Sequence, residues 1–236
     1  MKKLVHIFSC FFLVLILFVP FNDALSWVKN SDGIQLSKDE VPILITANSS
    51  SSDKPDIYEQ AKTLFKEKKY DDVITLLSGS CYNNPTNVEL NTLLAKAQVE
   101  KCAILKEKGD KSYKAIIKQP YITGVRLHKT IGPRPEFYYI VAKSLLINGR
   151  SSRAKKTIKK ALYYEPNNAD YLIVLGDAYC VQAELRKNDE DRYYANQLFS
   201  KAKDAYNNAL KTRMDDKEFR TIVENKIEQL SEKARK

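Results

Sequence analysis

Chemistry at neutral pH calls for histidines, reactive cysteines, paired carboxylates or phosphate-cradling glycines, and this chain is poor in all of them. Its 236 residues include two histidines, His6 and His128, four cysteines and seven glycines. His128 has no serine, cysteine or carboxylate at a partnering distance in sequence, and a lone helical histidine reads as a structural or surface residue. There is no HExxH, no nucleophile elbow and no phosphate-binding loop. The acids Asp189-Glu190-Asp191 fall at a predicted helical tip, where they cap or solvate it. Cys81, Cys102 and Cys180 each lie on the apolar stripe of a predicted helix, without CxxC or Cys/His spacing, so they read as buried thiols. These residues predict no enzyme, no metal site and no cofactor.

Charge is the next signal. Lysine and arginine number 39 against 29 acids, for a net charge of +10. The densest basic run, Lys155-Lys156 with Lys159-Lys160, falls on the outer face of one predicted helix. Elsewhere lysines alternate with acids, so nucleic acid is not the expected partner. An anionic envelope surface or an acidic protein fits better.

The envelope enters through the first residues. Met1-Lys2-Lys3 precedes an apolar run from Leu4 to Phe21, closed by Pro20, and Ala24-Leu25-Ser26 supplies small residues before Trp27. That is the pattern of a secretory signal over 1–26, in a bacterial style, with cleavage before Trp27. The alternative is an uncleaved anchor, since the run just reaches bilayer-spanning length. Cys10 is followed by further apolar residues where a lipidated cysteine would end the run, so lipidation is rejected. Removal of 1–26 takes away Lys2, Lys3 and Asp23. The expected address is periplasmic or extracytoplasmic. Residues 27–53 read as an arm, with an apolar, extended-looking Val41–Thr46 and a serine-rich linker from Asn48 to Ser52.

The elements that position everything else are helices. Hydrophobic residues make up 44% and charged residues 29%, while seven glycines are too few to punctuate an all-β fold. Placing residues 54–134 over 135–215, a shift of 81, aligns Tyr58 with Tyr139, Ala61 with Ala142, Lys62 with Lys143 and Leu64 with Leu145. The same shift brings Pro85 onto Pro166, Asn87 onto Asn168, Ala97 onto Ala178, Asp110 onto Asp191 and Tyr113 onto Tyr194. Matches at the Pro-x-Asn punctuation point to an internal duplication.

Residues 135–168 read PEFYYIVAKSLLINGRSSRAKKTIKKALYYEPNN. Ala142 stands where two helices cross, Gly149 at a turn, Ala154 and Ala161 on a second helix, and Pro166 after its end. This resembles the tetratricopeptide repeat (TPR) family. The first copy resembles it through Ala61, Tyr70, Val73, Leu77 and Pro85, with Lys68-Lys69 in place of the turn glycine. A second repeat opens in each copy, at Leu94-Ala95 and at Leu175–Tyr179. The resemblance covers 54–98 and 135–179. Beyond them the chain departs from the pattern, with extra helical residues around Val99–Tyr113 and Val181–Tyr194. These predict an elongated hairpin in each copy, turning at Gly109-Asp110 and Asn188-Asp189, with Pro120 breaking the first returning helix. The closing helix 216–236 carries Phe219, Ile222, Val223, Ile227 and Leu230 on one stripe and reads as a cap.

The resemblance implies an all-α, right-handed superhelix of antiparallel helix pairs, two regular and two extended repeats plus the cap, over 54–134, 135–215 and 216–236. It implies a scaffold that binds a protein or peptide on its concave wall. The residues that the motif places there are Tyr58, Lys62 and Phe65; Thr92, Lys96 and Val99; Tyr139, Lys143 and Leu146; then Ile173, Asp177 and Cys180. Lys62, Lys96 and Lys143 are expected to form a positive row, with Asp177 reversing the sign. The alternative is a structural protein that self-assembles through its long hairpins or basic face.

Overall fold

The computed structural model describes residues 56–188 and 191–235. The predicted signal, the arm with Val41–Thr46 and the turn residue Asp189 lie outside the described residues. Those described belong to one compact unit, Asp53–Lys236. They form helices only: α1 (Ile57–Lys66), α2 (Tyr70–Asn83), α3 (Val88–Glu107), α4 (Tyr113–Ile116), α5 (Lys118–Ile131), α6 (Pro135–Ile147), α7 (Ser151–Tyr164), α8 (Ala169–Asn188), α9 (Arg192–Thr212) and α10 (Lys217–Arg235).

Local chemistry sets the helix ends. Asp56 accepts from the Tyr58 N–H, Asn87 from Leu90, Asn168 from Asp170 and Tyr171, and Asp191 from Tyr194. Each side chain satisfies an amide that the first turn leaves without a partner. Pro135 opens α6, where a missing N–H costs nothing. Gly109 and Gly149 stop helices at φ 75°. Lys68 takes the same role at φ 60°, in the left-handed region that disfavours a Cβ.

The period seen in the sequence recurs in the backbone. α2 and α7 begin at Tyr70 and Ser151 and end at Asn83 and Tyr164; α3 and α8 begin at Val88 and Ala169 and end at Glu107 and Asn188. All four pairs are offset by 81 residues. Buried positions recur at that offset too: Ala61 with Ala142, Leu77 with Ile158, Leu93 with Val174, Ala97 with Ala178.

Packing turns this series into a layered stack. Each helix contacts the next in sequence, and α1, α3, α6, α8 and α10 also touch one another in that order. Among the described residues α2, α5, α7 and α9 do not touch each other. Helices that meet on one side and splay on the other curve the stack, with the first helices of each pair lining the concave wall. The architecture is all-α and TPR-like.

Small residues permit the close approaches. Ala61, Ala97, Ala142, Ala154, Ala161 and Ala178 are fully buried. A Cβ built on Gly124 would lie 2.9 Å from a Val141 methyl, and one on Gly176 only 2.4 Å from the Tyr206 ring.

The extra residues lengthen the hairpins as expected. α3 and α8 have 20 residues each, and the first hairpin turns at Gly109-Asp110. Its returning helix is broken: α4 ends at Ile116 and α5 starts at Lys118, with Pro120 buried in the new first turn. A continuous helix would need an amide at Pro120 to bond the Ile116 carbonyl, and proline has none. α10 buries Phe219, Val223 and Leu230 on α8 and α9. Ile222, expected on the same stripe, is 45% exposed.

Gly176→Ala is expected to lower stability by about 1–3 kcal/mol through overpacking against Tyr206. Gly79→Ala, on the exposed face of α2 with nothing within 4 Å of the new Cβ, is expected to raise it by about 0.5–1 kcal/mol. Urea unfolding of both variants checks the pair.

Candidate functional site

The concave wall holds a cavity of about 530 Å³ between α3, α6 and α8, rimmed by the α1–α2 turn and the α9–α10 turn. Its aromatic walls are Phe65, Tyr70, Tyr139 and Tyr171. Lys68 forms an ion pair with Glu218, so the first and last helix pairs meet across its mouth.

The floor is a polar triad. The Tyr139 hydroxyl donates to Glu100 Oε1 at 2.8 Å. Lys143 Nζ donates to both Glu100 oxygens, at 2.5 and 2.6 Å, and to the Tyr139 hydroxyl at 3.1 Å. The ammonium also lies 5.5 Å from the Tyr139 ring centroid. Tyr139 and Tyr171 pack with ring centroids 5.4 Å apart. Burial first, then the Glu100 carboxylate, pushes the Tyr139 phenol well above its ordinary value. Tyr70 is pushed up to about 12, again by burial and then by Glu100.

Other charges around the cavity are also matched. Arg213 pairs with Asp170 at 3.0 Å. Asp177 accepts from the Tyr206 hydroxyl at 2.6 Å and from Lys226 at 2.8 Å. Lys66 and Lys96 are the lining cations without a charge partner among the described residues.

Six of the sequence-predicted residues therefore meet in one cavity: Phe65, Lys96, Tyr139, Lys143, Ile173 and Asp177. Tyr58 and Thr92 line an adjoining depression of about 210 Å³, which also contains Lys96. Lys62 stays on α1, bonded to Glu59 at 2.8 Å and set over the Tyr58 ring. The Glu59 bond holds its ammonium above the ordinary lysine value. Leu146 and Cys180 line a second hollow of about 540 Å³ between α3, α6, α8 and α10. Val99 requires correction. It has no exposed surface and packs with Ala95, Cys102 and Ile117 beneath the wall. The extra turns of α3 and the α4–α5 segment cover the face that a shorter hairpin leaves open.

The positive row is corrected as well. Lys62 and Lys143 each carry a carboxylate of their own, so Lys96 is the row's one cation without a charge partner among the described residues. The sequence reading missed Glu100, although its place four residues after Lys96 sets both on one helix face. It also missed Tyr70 and Tyr171, which reach the cavity from the start of α2 and the first turn of α8.

Two of the three thiols match the expectation of buried, apolar cysteines. Cys81 and Cys102 are buried and Cys180 is half-buried, all as free thiols. Burial pushes Cys102 and Cys180 up to about 11. His128 packs at a tilt against Tyr138, ring centroids 5.0 Å apart, and does not line the groove. Among the described residues no His/Cys/Asp/Glu cluster has the form of a metal site, and no helix is long and apolar enough to cross a membrane.

No protein-family model matches the chain, and no curated protein matches it. Among solved structures, it is similar to a thermophilic TPR protein of Thermus thermophilus, with 16% identity over 72% of this chain and 96% of that one and a TM-score of 0.46.

Two outcomes follow from the floor and the thiols. Glu100→Ala leaves the Lys143 ammonium and the Tyr139 hydroxyl without their acceptor, and is expected to cost about 2 kcal/mol by urea unfolding. Stability is also expected to fall as pH rises above about 9. The unfolded chain then releases thiol and phenol protons that the fold retains up to about 11 at Cys102 and Cys180 and about 12 at Tyr70. Unfolding midpoints between pH 7 and 11 test this sign.

Proposed function

We propose that the chain is a non-enzymatic scaffold that binds a peptide segment of a partner protein in its concave cavity. The observation that carries this reading is Lys96, a partly buried cation with no charge partner among the described residues, set in a wall of Phe65, Tyr139 and Tyr171. A cation between aromatic shelves favours an acidic side chain flanked by apolar anchors. Charge speeds the encounter, and covering Phe65 and Tyr70, the partly exposed rings of the cavity, supplies apolar contact, since Tyr139 and Tyr171 are already buried at 8% and 5% exposure. Lys143, Arg213 and Lys68 are paired with Glu100, Asp170 and Glu218 and stiffen the site, while the exposed Lys66 at its rim adds to the attraction of Lys96. The helix offsets of 81 residues support an origin by duplication of one four-helix unit.

We further propose that the protein works outside the cytoplasm, with residues 1–26 as its export signal. The basis is Met1-Lys2-Lys3, the apolar run to Phe21 and the small residues before Trp27. Amino-terminal sequencing of the protein from its host is expected to start at Trp27. A start at Met1 points instead to an uncleaved anchor.

The groove is tested with a displayed random-peptide library selected on the purified protein. Selected peptides are expected to carry Asp or Glu beside aromatic or aliphatic residues. Lys96→Glu is expected to weaken them at least tenfold with unchanged helicity, and added salt to weaken them on the wild type. Peptides that bind the Lys96→Glu variant equally well overturn the reading.

A further inference from the structure

The outer face of α7 carries a charge pattern that neither the fold nor the groove uses. Arg153, Lys156, Lys159, Lys160, Tyr163 and Tyr164 are exposed on α7. At 100° per residue they occupy one stripe about two-fifths of the helix circumference wide. The helix contains no acid. None of its basic side chains forms an ion pair among the described residues. Lys155, at the edge of the stripe, is held by Gln182 at 2.7 Å. Its ammonium lies below the ordinary lysine value through burial and then through Lys159, Lys201 and Lys156. The lysines thus repel one another with no anion between them.

The stack does not require this. α2, the same helix one period earlier, has Asp71 and Asp72 in its first turn and no Lys or Arg at all. Two helices with the same place in the fold carry opposite charge, so the stripe reflects a demand from outside the molecule.

We propose that the α7 stripe is a docking surface for an anionic lipid bilayer. Three features favour a bilayer. The stripe ends in exposed tyrosines, Tyr163 at 83% and Tyr164 at 48%, and tyrosine is the side chain that settles at headgroup level. Tyr164 stacks on Tyr138, and Lys160 lies over the Tyr138 ring, so the aromatic end of the stripe is held in place. α7 also belongs to the splayed, convex layer of the stack and meets a flat surface along one line of side chains. The charges are mostly lysines, which suit phosphates approached as point charges rather than the paired geometry that arginine provides. Docking on this side leaves the concave cavity facing away from the membrane and open.

Flotation with vesicles of phosphatidylglycerol and phosphatidylcholine in equal parts tests the proposal, with pure phosphatidylcholine vesicles as reference. The wild type is expected to bind the anionic vesicles alone and to lose binding as salt rises. Lys156→Glu with Lys160→Glu is expected to weaken binding at least twentyfold. Lys111→Glu with Lys114→Glu, the same charge change in the α3–α4 turn and α4, is expected to weaken it less than threefold. Tyr163→Ala with Tyr164→Ala is expected to weaken it severalfold at unchanged charge. Equal losses in the two lysine variants reduce the effect to net charge and overturn the proposal. Tighter binding to duplex DNA than to the anionic vesicles overturns it in favour of nucleic acid.

Discussion

Side-by-side contact of the inner helices is the constraint on which the rest of this structure depends. α1, α3, α6 and α8 touch in succession, and each carries an alanine without exposed surface, Ala61, Ala97, Ala142 and Ala178, buried in the core between the two layers. Between the layers, Gly176 leaves room for the Tyr206 ring of α9 against the α8 backbone. Dispersion contacts weaken steeply with a gap of even half an ångström, so these small residues carry much of the packing. The outer helices lack such contacts with one another. The stack therefore curves, and the curvature creates the concave cavity.

Once the inner layer is this tight, its large side chains have two destinations. Val99 and Ile140 enter the core, Lys96 and Lys143 are left at the wall, and Tyr139 and Tyr171 are buried with one side of each ring lining the cavity. The wall then manages its own charge. A lysine with about a fifth of its side chain exposed is costly without an anion, and Glu100 supplies one to Lys143 while also accepting from Tyr139. The concave surface is thereby much less positive than the count of lysines implies. Basic side chains without ion-pair partners among the described residues gather instead on the convex side, on α7.

The elongated hairpins couple the two halves. Lys106, in the extra turns of α3, donates to the Ile147 carbonyl at the end of α6. A lysine there satisfies an open acceptor and opposes the negative end of the helix dipole. Lys187 and Lys233 tie α8 to α10 in the same region. These turns also bury Cys102 and Ile117 with Val99, which closes one stretch of the wall that a shorter hairpin would expose.

Much of this was legible in the residues alone. The 81-residue period with its Pro-x-Asn punctuation, the turns at Gly109 and Gly149 and the break at Pro120 are local, and local geometry follows from the backbone preferences of a few neighbouring residues. The alanine positions were equally plain, since helical spacing dictates which face they share. What the chain order did not disclose was which charges would find partners. Lys143 and Glu100 stand 43 residues apart, and Lys68 and Glu218 150 apart; no local pattern joins them, because each pair forms only where the curvature of the stack brings two helices together. Val99 went to the core for the same reason, buried with Ile117 of the α4–α5 junction and Tyr139 of α6. Sequence determined the helices and their faces, and tertiary packing decided which face residues remained free to bind.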